Sequence, residues 1–213
     1  EGQHDALKIS AGYARVAEAA IQVLTDATIA EFEDVHGKIA GGRLLILALG
    51  RLGGAALTHA SDLDLIFLFS GDHSAESDGP RPLGGTQYFN RLTARIVTAL
   101  SVPTAAGPLY EVDTRLRPSG TQGPLAVTLE SFGKYQRESA WTWEHMALTR
   151  ARPVYGDDDL REQLQGQICE ILKTDRDPEE LRKAVRKMRL DIVEHKPPKG
   201  PLDTKLMEGG LVD

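Results

Sequence analysis

Residues 44–69 read LLILALGRLGGAALTHASDLDLIFLF. Two apolar runs, Leu44–Leu49 and Leu63–Phe69, are of strand length, and a glycine-rich turn joins them. Asp62 and Asp64 stand at the mouth of the second run, in a segment otherwise built for burial. Strand side chains alternate between faces, so residues two apart point the same way, roughly 7 Å apart. The alternation predicts both carboxylates on one face at a strand end. Unrelieved, they would repel by a few kcal/mol at an effective dielectric near 20. A divalent cation or a shared proton is the usual relief. Gly53 and Gly54 lie close by and allow backbone N–H groups to approach a phosphate, with Ser61 as a further hydroxyl donor. The combination predicts a Mg²⁺–nucleotide site.

The turn is neither a P-loop, since no Gly-Lys-Ser/Thr follows, nor a dinucleotide fingerprint, since G-x-x-G-G runs on into Asp-x-Asp. A second segment supports the same site. In LYEVDTRLRP, residues 109–118, a strand over 109–117 would place Glu111, Asp113, Arg115 and Arg117 on one face. Beside the run at 63–69, Asp113 becomes a third carboxylate. Three carboxylates on rigid strands suit two Mg²⁺ ions about 3.5–4 Å apart. Arg115 and Arg117 are then expected to take phosphate oxygens in forked contacts.

The rest of the chain frames this site. Residues 4–35 read as a helix with Leu7, Ala11, Ala14, Ile21 and Leu24 near one stripe. A helical turn is expected at 54–59, a surface loop at 70–85 and an amphipathic helix at 86–100 with Tyr88, Phe89, Leu92, Ile96 and Leu100 inward. A short strand is expected at 125–129, a mostly helical region at 131–152, two charged helices at 157–173 and 178–195, a linker at 196–201 and a last strand at 205–213. The order predicts an α+β fold: a small mixed sheet bearing the acids, flanked by helices, with a helical extension. The boundaries drawn are an N-terminal helical segment 1–36, a catalytic domain 37–156, the extension 157–195, and a linker with the start of a further strand at 196–213.

The 213 residues carry 25 Lys and Arg against 31 Asp and Glu, a net charge of −6 that disfavours a dedicated nucleic-acid binder. No apolar run approaches the roughly 20 residues of a membrane span. The lone Cys169 excludes an internal disulfide and suits a reducing compartment, so a cytoplasmic location is expected. The sequence reads as a piece of a longer protein. Trp141 and Trp143 read as packing residues rather than an adenine platform, Asp157–Asp159 as a helix cap, and Arg182, Lys183, Arg186, Lys187 and Arg189 as a solvated face, with docking of an acidic partner the other use.

These residues resemble the nucleotidyltransferase superfamily of DNA polymerase beta: a glycine turn, then Asp-x-Asp, then a third Asp on a later strand. GRLGGAALTHASDLDLIF, LYEVDTRLRPSGTQGPL, ESAWTWEHMALTRARPVYGD and DTKLMEGGLVD resemble, in order, segments of the glutamine synthetase adenylyltransferase family. That family carries two such domains; one removes AMP from glutamine synthetase by phosphorolysis and the other adds it from ATP. RLRPSG and AWTWEH look like the adding, C-terminal copy. The resemblance implies metal binding and catalysis by Asp62, Asp64 and Asp113. It implies nucleotide contact by Gly53, Gly54, Ser61, Arg115, Arg117 and Lys205. The implied reaction moves AMP from ATP to a tyrosine hydroxyl of glutamine synthetase, with Mg²⁺ as cofactor and control through the PII signalling protein. The alternatives are the adenylyl-removing domain of the same enzyme, or a non-catalytic regulatory module on the same fold.

Overall fold

The computed structural model describes residues 5–105, 107–198, 200, 203 and 206. Lys205, Asp213 and most of the strand expected at 205–213 lie outside them. The chain opens with α1 (Ala6–His36), started by Asp5, whose side chain accepts from the Leu7 N–H at 3.0 Å. The two apolar runs form β1 (Arg43–Ala48) and β2 (Leu63–Ser70), antiparallel from Arg43 against Ser70 to Ala48 against Leu65. Between them lies a single helical turn, α2 (Gly50–Gly53). α3 (Gly85–Ser101) follows, then a small ribbon of β3 (Pro103–Thr104) and β4 (Gly107–Pro108). β5 (Val112–Asp113) and β6 (Ala126–Thr128) come next, then α4 (Leu129–Glu138) and α5 (Thr142–Leu148). β7 (Arg152–Tyr155), α6 (Asp158–Lys173) and α7 (Pro178–His195) complete the described elements.

The main sheet runs β5-β2-β1-β7, and β5 and β6 share one edge of β2 in succession. Both lie parallel to it, Val112–Asp113 against Leu63–Asp64 and Ala126–Thr128 against Phe67–Phe69. Helices cover both faces, which is why β1 and β2 are continuous apolar runs rather than alternating ones. Leu44, Ile46, Leu65, Phe67 and Phe69 pack with Ile21 and Phe32 of α1 and Phe89, Leu92 and Ile96 of α3. Leu45, Leu47, Ile66 and Leu68 pack with Phe132 of α4, Leu148 of α5, and Leu160, Leu164 and Ile168 of α6. The architecture is the small mixed sheet flanked by helices that the sequence predicts. No helix among the described residues is long and apolar enough to cross a membrane.

Several local expectations are corrected. The helical turn lies at Gly50–Gly53 rather than 54–59. The region at 131–152 is two helices and the start of a strand, because the chain turns at Ser139–Ala140 and then pairs β7 with β1. Pro153 is tolerated there because β7 is an edge strand. The buried Glu144 ties the two helices: its Oε1 accepts from the Tyr135 hydroxyl at 3.0 Å, and burial pushes its carboxyl up. Trp141 and Trp143 lie outside the core, 68% and 41% exposed, in a surface groove beside Ala184 and Met188 of α7. Cys169 is exposed. Asp157 precedes α6 as its cap residue, and it joins Asp159 in holding Arg43 at 3.4 and 2.8 Å.

The third strand departs most from its prediction. It spans Val112–Asp113 instead of 109–117. Asp113 ends it: its Oδ1 accepts from the Arg115 N–H at 2.8 Å, an Asx-type turn that takes the chain off the sheet. Ser119 and Gly120 then adopt φ of 61° and 55°, which no strand sustains.

Candidate active site

Asp62 and Asp64 sit at the start of β2, and the parallel pairing sets Asp113 directly opposite Asp64. One carboxylate oxygen from each of Asp62, Asp64 and Asp113 lies within 4.8 Å of the others. Asp62 is exposed and the other two are half-buried, so the cluster opens to solvent at a sheet end. The donor set is all carboxylate oxygen, held on paired strands and reachable from outside. It fits a hard divalent cation such as Mg²⁺.

Arg115 is the cation on this cluster. Its Nε donates to both Asp113 oxygens, at 3.0 and 2.9 Å, and its Nη2 donates to Oδ2. The side chain is 73% exposed, and its guanidinium also feels Asp62 and Asp64. Its side-chain hydrogen bonds hold the Asp113 carboxyl below the usual carboxylate range. A depressed folded-state value contributes stability above the unfolded value of about 3.9, lost as pH falls through the lower folded one. Arg115→Gln is expected to raise the Asp113 value toward the ordinary range. Carboxyl ¹³C NMR titration checks this, and an unmoved midpoint would contradict it.

Arg117 is placed differently from its expectation. It is buried, its Nε donates to the Gly123 carbonyl at 3.2 Å, and its Nη1 donates to the Thr114 carbonyl at 2.8 Å. The broken strand alternation makes it an anchor of the loop after β5 rather than an exposed fork. Ser61 lies just before the acids, where its Oγ accepts from the Thr58 N–H at 3.1 Å.

The glycines divide by role. A Cβ on Gly53 would lie 2.0 Å from the Arg150 carbonyl and 2.7 Å from that of Ala48, so Gly53 admits the chain entering β7. Gly54 is exposed at φ −79°, and a Cβ there meets its nearest neighbour only at 3.5 Å. Gly50 is the residue that sequence reasoning missed. Its φ is +55°, and a Cβ on it would lie 2.1 Å from Asp64 Oδ2. The Leu49 N–H donates to the Asp64 carbonyl at 2.9 Å, which brings the β1 end against the acid. The available signal was a glycine closing an apolar run directly before the turn.

The chain matches the family model described as glutamate-ammonia ligase adenylyltransferase over residues 2–167. It is 47% identical over 213 residues to the bifunctional glutamine synthetase adenylyltransferase/adenylyl-removing enzyme of Brucella suis biovar 1 (strain 1330), covering 100% of this chain and 22% of that protein. It is 49% identical over 199 residues to the protein of the same name from Rhizobium meliloti (strain 1021), covering 93% of this chain and 20% of that one. The chain thus spans about a fifth of the length of these relatives.

Proposed function

The chain belongs to the glutamate-ammonia ligase adenylyltransferase family, and on that footing we propose that it transfers AMP from ATP to a tyrosine hydroxyl of glutamine synthetase, releasing pyrophosphate. The convergence of Asp62, Asp64 and Asp113 within 4.8 Å carries this reading. The adding direction rests on the resemblance of RLRPSG and AWTWEH to the adenylylating copy. Removal of AMP by phosphorolysis is the second reading, favoured by the bifunctional name of the relatives.

Asp62, Asp64 and Asp113 would hold Mg²⁺, two ions by the geometry such transfers use. Bound there, the metal supplies Lewis-acid activation of the tyrosine oxygen and charge stabilisation on the triphosphate. The chain itself needs no nucleophile, because the partner brings the tyrosine. Arg115 turns from Asp113 to the triphosphate oxygens, and Asp113, freed of the guanidinium but still accepting from the Arg115 N–H, takes the phenolic proton. Gly54 offers an open backbone approach, Ser61 a hydroxyl, and Lys205 a further cation for the nucleotide. Arg117 and Gly53 hold the loops that carry these groups. Catalysis is then mainly positioning and charge stabilisation. Control by the PII signalling protein acts through other parts of the longer chain that such relatives have.

Incubation with α-³²P-ATP, Mg²⁺ and unmodified glutamine synthetase tests the proposal. Label on the synthetase is expected. No label there, with ADP released from AMP-modified synthetase on adding phosphate, would replace it with the removing reading.

A further inference from the structure

α1 carries two apolar stripes on opposite sides. Ala14, Ala17, Ile21, Thr25, Thr28 and Phe32 are buried on the sheet. A second set, Ile9, Tyr13, Val16, Ala20, Val23, Ala27 and Ala30, follows alternating steps of four and three residues. That is the 3.5-residue period of a helix–helix seam. Val16 is 62% and Val23 65% exposed, and Ile9 and Tyr13 are exposed as well. The charged residues of α1 between positions 9 and 30 are Arg15, Glu18 and Asp26. At 3.6 residues per turn they fall about 80° or more from Val16. Glu18 and Asp26 are moreover turned to β7, where Arg152 Nη2 and the Tyr155 hydroxyl each donate to one of them at 2.6 Å. Arg15 flanks the N-terminal end of the stripe, where it lines one surface depression with Ile9, Tyr13 and Val16, and from Val16 to Ala30, about 21 Å of helix, the stripe itself carries no charge.

We propose that this stripe seats an amphipathic helix supplied by the remainder of the longer polypeptide in which such relatives carry this segment. The period selects a helix as occupant, and the uncharged stretch from Val16 to Ala30 selects an apolar stripe on it. The size argues against a second copy of the chain. The exposed Ile9, Tyr13, Val16 and Val23 with the alanines offer on the order of 400 Å² of apolar surface, against about 450–520 Å² of apolar surface per partner in a stable free complex. A covalently linked helix needs less, because tethering holds it at an effective concentration in the millimolar range. The Brucella relative has the polypeptide to supply it, since the matched region is 22% of its length.

Val23→Cys in a Cys169→Ser background gives the 213-residue chain a single thiol on the seam. Its maleimide labelling is followed by mass spectrometry of the labelled peptide. Labelling is measured in this chain and in the full-length Brucella suis polypeptide carrying it in place of the matched segment. Fast labelling in the short chain and at least about tenfold slower labelling in the long one is expected, with the sedimentation mass of the short chain that of a monomer. Adding Val16→Glu to the long chain is expected to restore the fast rate and to leave the melting temperature of the short chain unchanged. Equal rates in both chains would overturn the proposal. Slow labelling in the short chain with a dimer's mass would overturn it in favour of a second copy.

Discussion

Asp64→Asn is expected to lower AMP transfer by on the order of 10³-fold, since a Lewis-acid contribution of several kcal/mol at 1.36 kcal/mol per decade amounts to that. The residue stands opposite Asp113 in the β2–β5 pairing and two residues beyond Asp62 on the chain. Asparagine keeps its shape and removes one of three neighbouring negative charges. The melting temperature should therefore hold or rise while activity falls. Mn²⁺ titration followed by electron paramagnetic resonance should show weakened binding in the same variant. Asp62→Asn is expected to act the same way. Full activity in both variants, with the fold intact, would sink the metal-site reading.

Gly50→Ala is expected to bring activity near that of Asp64→Asn while costing about 1–3 kcal/mol of stability. Two effects coincide at this position. A φ of +55° disfavours any side chain, and the added Cβ would lie 2.1 Å from Asp64 Oδ2. The carboxylate must leave its place or the β1 end must shift; either moves an oxygen of the proposed metal site. Gly54→Ala is the matched control, because its φ of −79° and nearest contact of 3.5 Å accommodate a methyl group. It should melt close to the unsubstituted chain. Chemical denaturation separates the stability loss from label transfer measured under native conditions. A Gly50→Ala protein with unreduced transfer would show that Asp64 is positioned without Gly50.

The layered fold was legible because burial wrote it into composition. Leu44–Leu49 and Leu63–Phe69 are apolar at nearly every position, as strands covered on both faces must be. The stripe of Tyr88, Phe89, Leu92, Ile96 and Leu100 is likewise the buried face of α3. Where local chemistry competed with pattern, the reading failed. Alternation in LYEVDTRLRP suggested a long strand, yet the Asp113 side chain captures the Arg115 N–H and ends pairing after two residues. β7 was hidden because Arg152–Tyr155 is short, contains a proline, and is a strand only by lying against β1.

The sequence by itself determined the class of fold, the family, and the acids Asp62, Asp64 and Asp113. Residue type, two-residue spacing and the apolar runs around the acids are all local properties of the chain. Only the tertiary structure decided how the neighbours of those acids divide their work. Parallel pairing of β5 with β2 sets Asp113 opposite Asp64, and the turn after Asp113 sends Arg115 onto the acids and Arg117 into the loop. The glycines were likewise indistinguishable as letters. Gly50 borders Asp64, Gly53 admits the Arg150 carbonyl and Gly54 is open, because each role depends on atoms brought near by strands distant in sequence.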